Sequence, residues 1–126
     1  MHLTLLPTEL QILRLPPHSP IDPAWLAAPF FSLTRTDEEL SLVLPASCTV
    51  EGAKMEPGWR ALKVAGPLDF SLVGILAQLS QVLADAGVSL FALSTFDTDY
   101  LLVKAERLED AIDALQQAGH QIDRRR

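Results

Sequence analysis

Cysteine is almost missing from this chain. Cys48 stands alone among 126 residues, so no internal disulfide can form, which fits a reducing compartment. Long apolar runs are missing too. None approaches the roughly 18–20 residues needed to cross a membrane as a helix. The opening stretch MHLTLLPTEL has neither a basic segment nor an apolar run of signal-peptide length. The expected location is the cytoplasm, with no membrane partner. Positive charge is scarce: ten Lys and Arg face sixteen Asp and Glu, for a net charge of -6. An acidic chain repels phosphate backbones, so nucleic acid is not an expected partner. The single basic run, Arg124-Arg125-Arg126, is short and reads as a solvated tail.

Catalytic motifs are missing as well. There is no Gly-rich phosphate loop, no H-E-x-x-H and no C-x-x-C. His2, His18 and His120 are scattered, and none lies near Cys48 in sequence, so no spacing suggests a triad or a metal site. Asp37, Glu38 and Glu39 read as a polar hairpin tip rather than as paired catalytic carboxylates. No metal and no cofactor is implied, and the expectation is a protein that is not an enzyme.

Apolar residues are plentiful. At 48% of the chain they suffice for a packed core without metals or cross-links. Residues 1–58 hold most of the prolines. Leu10–Leu15 reads as a strand, broken by Pro16, Pro17 and Pro20. Asp22 and Pro23 read as the cap and first position of one or two helical turns. Residues 30–35 and 40–44 flank a polar turn and read as a hairpin. Residues 46–58 read as a connection.

Residues 59–126 are more regular. Ala61–Ala65 reads as a strand stopped by Gly66-Pro67. Leu72, Ile75, Leu76, Leu79, Val82, Leu83 and Ala86 recur at helical spacing, and Gly87 is the expected stop. Residues 88–94 and 100–104 read as strands joined by a turn at 95–99. Leu108, Ala111, Ile112 and Leu115 mark a second helix ended by Gly119, and residues 120–123 read as a short last strand. The order is β-α-β-β-α-β, an α+β fold of ferredoxin-like type: an antiparallel sheet with both helices on one face. In strand 88–94, Leu90 and Ala92 point one way and Phe91 and Leu93 the other, so both sides are apolar. Helices cover one face only. The first half of the chain or a second copy is expected to cover the rest.

Two loops carry the candidate chemistry. The first leads from the strand at 61–65 into the helix through Asp69, Ser71 and Gly74. Unpaired N–H groups at a helix start suit a carboxylate, and Gly74 permits close approach. The same residues also serve a plain helix cap. The second loop is Ser94-Thr95-Phe96-Asp97-Thr98-Asp99-Tyr100. Its carboxylates can pair with a ligand's ammonium group, or its Asp and Thr side chains can simply satisfy local backbone groups.

The stretch from Val88 through Ser94-Thr95-Phe96-Asp97-Thr98-Asp99-Tyr100 to Lys104 resembles the ACT-domain group that includes CASTOR-type arginine sensors and lysine-responsive regulatory domains of aspartate kinases. Residues 30–38 and 59–64 resemble matching stretches in the same order. The resemblance implies two ACT-like modules in tandem, 1–58 abbreviated and 59–126 complete. It implies a regulatory protein that binds a free amino acid at a module or subunit interface. The two acids of the turn permit a basic amino acid, though they could bind any ammonium group. Gly74 and Ile75 would meet the carboxylate, Ser89 and Leu90 would contribute main-chain groups, and Thr95, Phe96, Asp97 and Asp99 would line the pocket. A homodimer would supply the interface that longer tandem proteins form within one chain, and a regulated protein would read the signal. The alternative is an interaction or dimerisation module with no ligand.

Overall fold

The computed structural model describes residues 1–65 and 74–124. The expected turn at Gly66-Pro67, the candidate cap residues Asp69 and Ser71, and Arg125 and Arg126 lie outside the described residues. The chain divides into two compact units, Thr8–Trp59 and a second made of Met1–Pro7 with Arg60–Arg126. The division differs from a simple cut near residue 58 because the first seven residues join the C-terminal unit. They do so through strand β1, His2–Leu5, which the sequence reading passed over.

The unit Thr8–Trp59 is built on β2 (Leu10–Leu15), a short 3-10 helix (Pro23–Ala27), β3 (Ser32–Arg35), β4 (Leu40–Pro45) and the first part of β5 (Lys54–Val64). The prolines explain why only a 3-10 turn forms between β2 and β3. Asp22 caps it as expected, its carboxylate accepting from the Ala24 N–H at 2.9 Å, with Pro23 next in line. The β3–β4 hairpin is in register, Arg35 opposite Leu40. Leu13, Leu15, Trp25, Leu40, Leu42 and Leu44 form its core, and Cys48 packs against them.

β5 corrects the reading of 46–58 as a connection: its strand begins at Lys54 and runs through Pro57 and Gly58. A bulge makes this feasible. Leu10 pairs with Trp59 but Ile12 with Glu56, so β5 carries one more residue than β2 there. Gly58, at φ +76°, takes up the kink that a residue with a side chain resists.

The second unit has strand order β6-β7-β5-β1-β8, with β6 at Leu90–Ser94, β7 at Asp99–Lys104 and β8 at Gln121–Arg124. Helices α1 (Ile75–Asp85) and α2 (Leu108–Gln117) complete it. This is the expected α+β arrangement with one addition. β1 lies between β5, to which it is antiparallel, and β8, to which it is parallel. Leu79 and Leu83 of α1 and Leu108, Ala111, Ile112 and Leu115 of α2 share one core with Leu3, Leu5, Leu62, Val64, Leu101 and Val103. The alternation of the strand residues puts them on one sheet face, so both helices lie on that face.

Both helices end as Gly87 and Gly119 predict. At α1, Gly87 N–H donates to Ala84 O (2.9 Å) and Val88 N–H to Leu83 O (2.9 Å). At α2, Gly119 N–H donates to Gln116 O (3.0 Å) and His120 N–H to Leu115 O (3.0 Å). Each is a Schellman stop with glycine in the left-handed region, φ +73° and +95°. Among the described residues no helix is long and apolar enough to cross a membrane.

Candidate functional site

The site is assembled at one end of the second unit's sheet. β6 and β7 pair in register from Leu90 with Val103 to Ser94 with Asp99. The turn between them is closed by the Thr95 N–H donating to Thr98 O at 2.8 Å. Thr95 Oγ1 accepts from the Thr98 N–H at 3.3 Å, so the side chain tightens the same turn. The turn is then fastened to the body of the unit. Thr98 is only 3% exposed, and its hydroxyl donates to the carbonyl of Val64 at 2.6 Å. Val64 is the last residue of β5, so the turn sits where β5 ends.

This fastening orients the neighbours. Phe96 is 80% exposed at the tip. Asp97 is exposed and makes no hydrogen bond or ion pair among the described residues. Asp99 is half-buried and accepts from the Ser94 hydroxyl at 2.6 Å, so its carboxylate is already partly committed. Of the two acids, Asp97 is the one presented outward.

The start of α1 opens toward the same end. At its other end, Arg107, which follows β7, donates to Ala86 O at 3.3 Å and to Gly87 O at 3.2 Å. The end of α1, the start of β6 and the end of β7 therefore lie together, and α1 runs back toward the turn. Gly74 caps its start with φ +82° and no side-chain hydrogen bond, and the first turn has no acidic residue. A Cβ built on Gly74 meets nothing within 4 Å, so glycine is required by its backbone angle rather than by crowding. The result is a helix start whose partial positive charge no described side chain neutralises.

The candidate residues thus fall into two groups. Gly74 and Ile75 begin α1, and Thr95, Phe96, Asp97 and Asp99 lie in or beside the turn, all toward one end. Ser89 and Leu90 lie at the opposite end of β6, about 13 Å away along the strand. Ser89 is exposed, while Leu90 packs against the core. Thr98, which holds the turn in place, was not singled out by the sequence reading. Its signal was a β-branched hydroxyl residue between two acids, at the position where a turn meets a strand.

Other polar pairs lie at β1, β8 and α2, the first of them at this same end of the sheet, where the Ala65 N–H donates to His2 O at 2.8 Å. His2 contacts Asp123, and the N-terminal amine of Met1 sits 3.0 Å from His120 Nδ1. Burial, and then the charge of that amine, hold the His120 pKa below its ordinary value. Arg124 pairs with Glu109 at 2.7 Å, which lowers the Glu109 pKa.

A family model described as ACT domain matches residues 54–117, half of the chain. The rat cytosolic arginine sensor for mTORC1, subunit 1, is 32% identical over 106 residues, covering 75% of this chain and 31% of the sensor. The chain therefore spans about a third of the length of that curated relative. Protein Atu0741 from Agobacterium tumefaciens, a crystal structure, superposes with a TM-score of 0.91 at 34% identity, covering 99% of this chain and 93% of that one. The ligand-free regulatory subunit of aspartate kinase from Thermus thermophilus shares the fold, with a TM-score of 0.68 at 16% identity over 93% of this chain and 96% of that one. The matched segment holds β5, α1, the fastened β6–β7 turn and α2, and on that basis the chain belongs to the ACT domain family.

Proposed function

We propose that this chain is a regulatory protein that binds a free amino acid and acts by binding alone. The observation that carries the reading is the fastening of the 95–98 turn to Val64 through Thr98. It fixes an outward carboxylate, Asp97, at the end of the unit toward which the start of α1 opens, with no described side chain bonded to its N-cap. An amino acid is a zwitterion with the matching poles. Its carboxylate would rest on the N–H groups at Gly74 and Ile75, and its ammonium on Asp97, with Thr95, Phe96 and Asp99 around it. The relative that senses arginine supports a basic amino acid as a first choice of ligand.

The sites are completed, on this reading, by a homodimer. Ser89 and Leu90 lie too far along β6 to join the turn of their own chain, so they would contribute from a second copy. β6 pairs with β7 alone among the described strands, which leaves an edge for that copy. The abbreviated ACT-like module expected over 1–58 would be the unit Thr8–Trp59, its β3–β4 hairpin corresponding to β6–β7 and its 3-10 helix, in chain order, to α1. The protein would work in the cytoplasm, its ligand changing how it associates with a regulated partner protein. An interaction module without a ligand is the second reading, and the same β6 edge favours it.

Calorimetric titration of the intact protein with arginine and with lysine, repeated on Asp97→Ala, separates the two. Saturable binding weakened by the substitution supports the sensor. Binding that ignores the substitution removes Asp97 from the site. A dimer that binds neither of these nor any other amino acid leaves the interaction module.

A further inference from the structure

The unit Thr8–Trp59 contains a cleft of about 610 Å³ that no part of the proposed amino-acid site uses. Its volume falls in the range of small-molecule sites, about 300–1,000 Å³. Leu15, Ile21, Trp25 and Val50 form its apolar walls, and Asp22 and Glu51 supply its charge. No Lys, Arg or His lines it. The Arg35 guanidinium stands at the rim, where it donates to the Ser19 carbonyl.

The cleft lies where β2 leads into the 3-10 helix. The starts of the 3-10 helix and of α1 differ among the described residues. At α1 no described side chain caps the helix start. At the 3-10 helix the Asp22 carboxylate itself takes the Ala24 N–H, at 2.9 Å, so the seat a ligand carboxylate would use is filled from within the chain. Trp25, 7% exposed, belongs to the core and also lines the cleft, which gives the wall a rigidly held aromatic residue.

We propose that this cleft is a second binding site, selective for a small organic cation with an apolar body, such as an alkyl or arylalkyl amine. The ammonium group sits between Asp22 and Glu51, and the carbon skeleton lies on Ile21, Val50 and the Trp25 indole. The occupant differs in class from a zwitterion, because the cleft offers acceptors for the ammonium and no helix start for a carboxylate.

The protein has two tryptophans, Trp25 and Trp59, so their ¹⁵N-labelled indole signals report the cleft directly. Trp59→Phe assigns the two, and the measurement itself is made on the unsubstituted chain. Hexylamine and 2-phenylethylamine are expected to shift the Trp25 signal saturably, and hexanoate to leave it in place. Glu51→Gln should weaken hexylamine binding about tenfold, the loss of one charge-assisted contact. Asp22→Asn, which keeps the cap, should add to that loss, and Asp97→Ala should change nothing. No response to hexylamine at tens of millimolar, an equal response to hexanoate, or full hexylamine binding in the Asp22→Asn, Glu51→Gln double variant would overturn the assignment. Because Asp97→Ala is silent here, failure of the amino-acid site and failure of this cleft remain distinguishable.

Discussion

The chain makes the same hairpin turn twice and uses it in two ways. Thr36-Asp37-Glu38-Glu39 joins β3 to β4, and Thr95-Phe96-Asp97-Thr98 joins β6 to β7. In each, the Thr N–H donates to the carbonyl three residues on, at 2.9 and 2.8 Å. In each, the Thr hydroxyl accepts from the N–H three residues on, at 3.2 and 3.3 Å. The backbone problem is solved identically. The difference is the fourth residue. Glu39 ends the first turn partly exposed, whereas Thr98 is buried and bonded to β5. A turn that only reverses the chain needs its Thr. Both turns are also tied to a neighbouring strand: the first by the exposed Arg14 guanidinium donating to Glu38 O at 3.2 Å, the second by the buried Thr98 hydroxyl on Val64 O.

That comparison can be broken at several points. The largest effect is expected on binding. Asp97→Ala should weaken the amino-acid complex by about tenfold or more, the loss of a hydrogen bond to a charged group, and leave the melting temperature of the free protein unchanged. Its counterpart in the first turn, Glu38→Ala, should leave calorimetric binding unaltered.

The next effect is on stability. Thr98→Val removes the donor to Val64 O and leaves a buried carbonyl short of a partner, at a cost of about 1–3 kcal/mol in urea unfolding. The matching change Glu39→Ala should stay within about 0.5 kcal/mol. Equal losses at the two positions would mean that the fastening contributes nothing. Gly87→Ala comes third. It puts a Cβ on a residue at φ +73° and should cost about 1–2 kcal/mol by the same assay. The ring of space around that position holds only the Arg107 guanidinium at 3.9 Å, so backbone strain rather than crowding sets the loss.

The smallest effect is on pH dependence. His120 has its pKa lowered in the folded state by burial and by the Met1 amine. The unfolded chain therefore binds the proton more readily, and stability rises with pH across that interval. The contribution is present above the ordinary value of 6.5 and is lost as pH falls through the folded-state value. His120→Gln should flatten the profile of melting temperature on the acid side of 6.5 and leave it unchanged above.

The second unit was largely legible from residue spacing. The stripe from Ile75 to Leu83, the stops at Gly87 and Gly119 and the paired strands around residues 95–98 all carry local signals, and the structure follows them. β1 was not read, although Leu3 and Leu5 alternate with polar neighbours, because four residues give too short a pattern to separate a strand from a terminal segment. The start of β5 was hidden by Pro57 and Gly58, which usually end a strand and here form its bulge. Within the candidate site, Asp97 and Asp99 were visible as residue types, but their unequal roles were not. Whether a carboxylate faces solvent or is held by Ser94 depends on a hydroxyl five residues away. Thr98 was unreadable for the same reason: its partner, Val64, lies 34 positions earlier.

The central claim is that an amino acid binds the native chain, and thermal denaturation against each of the twenty amino acids tests it most directly. A ligand specific for the folded state adds about 2.7 kcal/mol at a hundredfold excess over its dissociation constant. The account predicts a raised melting temperature with one amino acid or a few related ones, and no rise with the same ligands in Asp97→Ala. A melting temperature unmoved by all twenty at high concentration would contradict it.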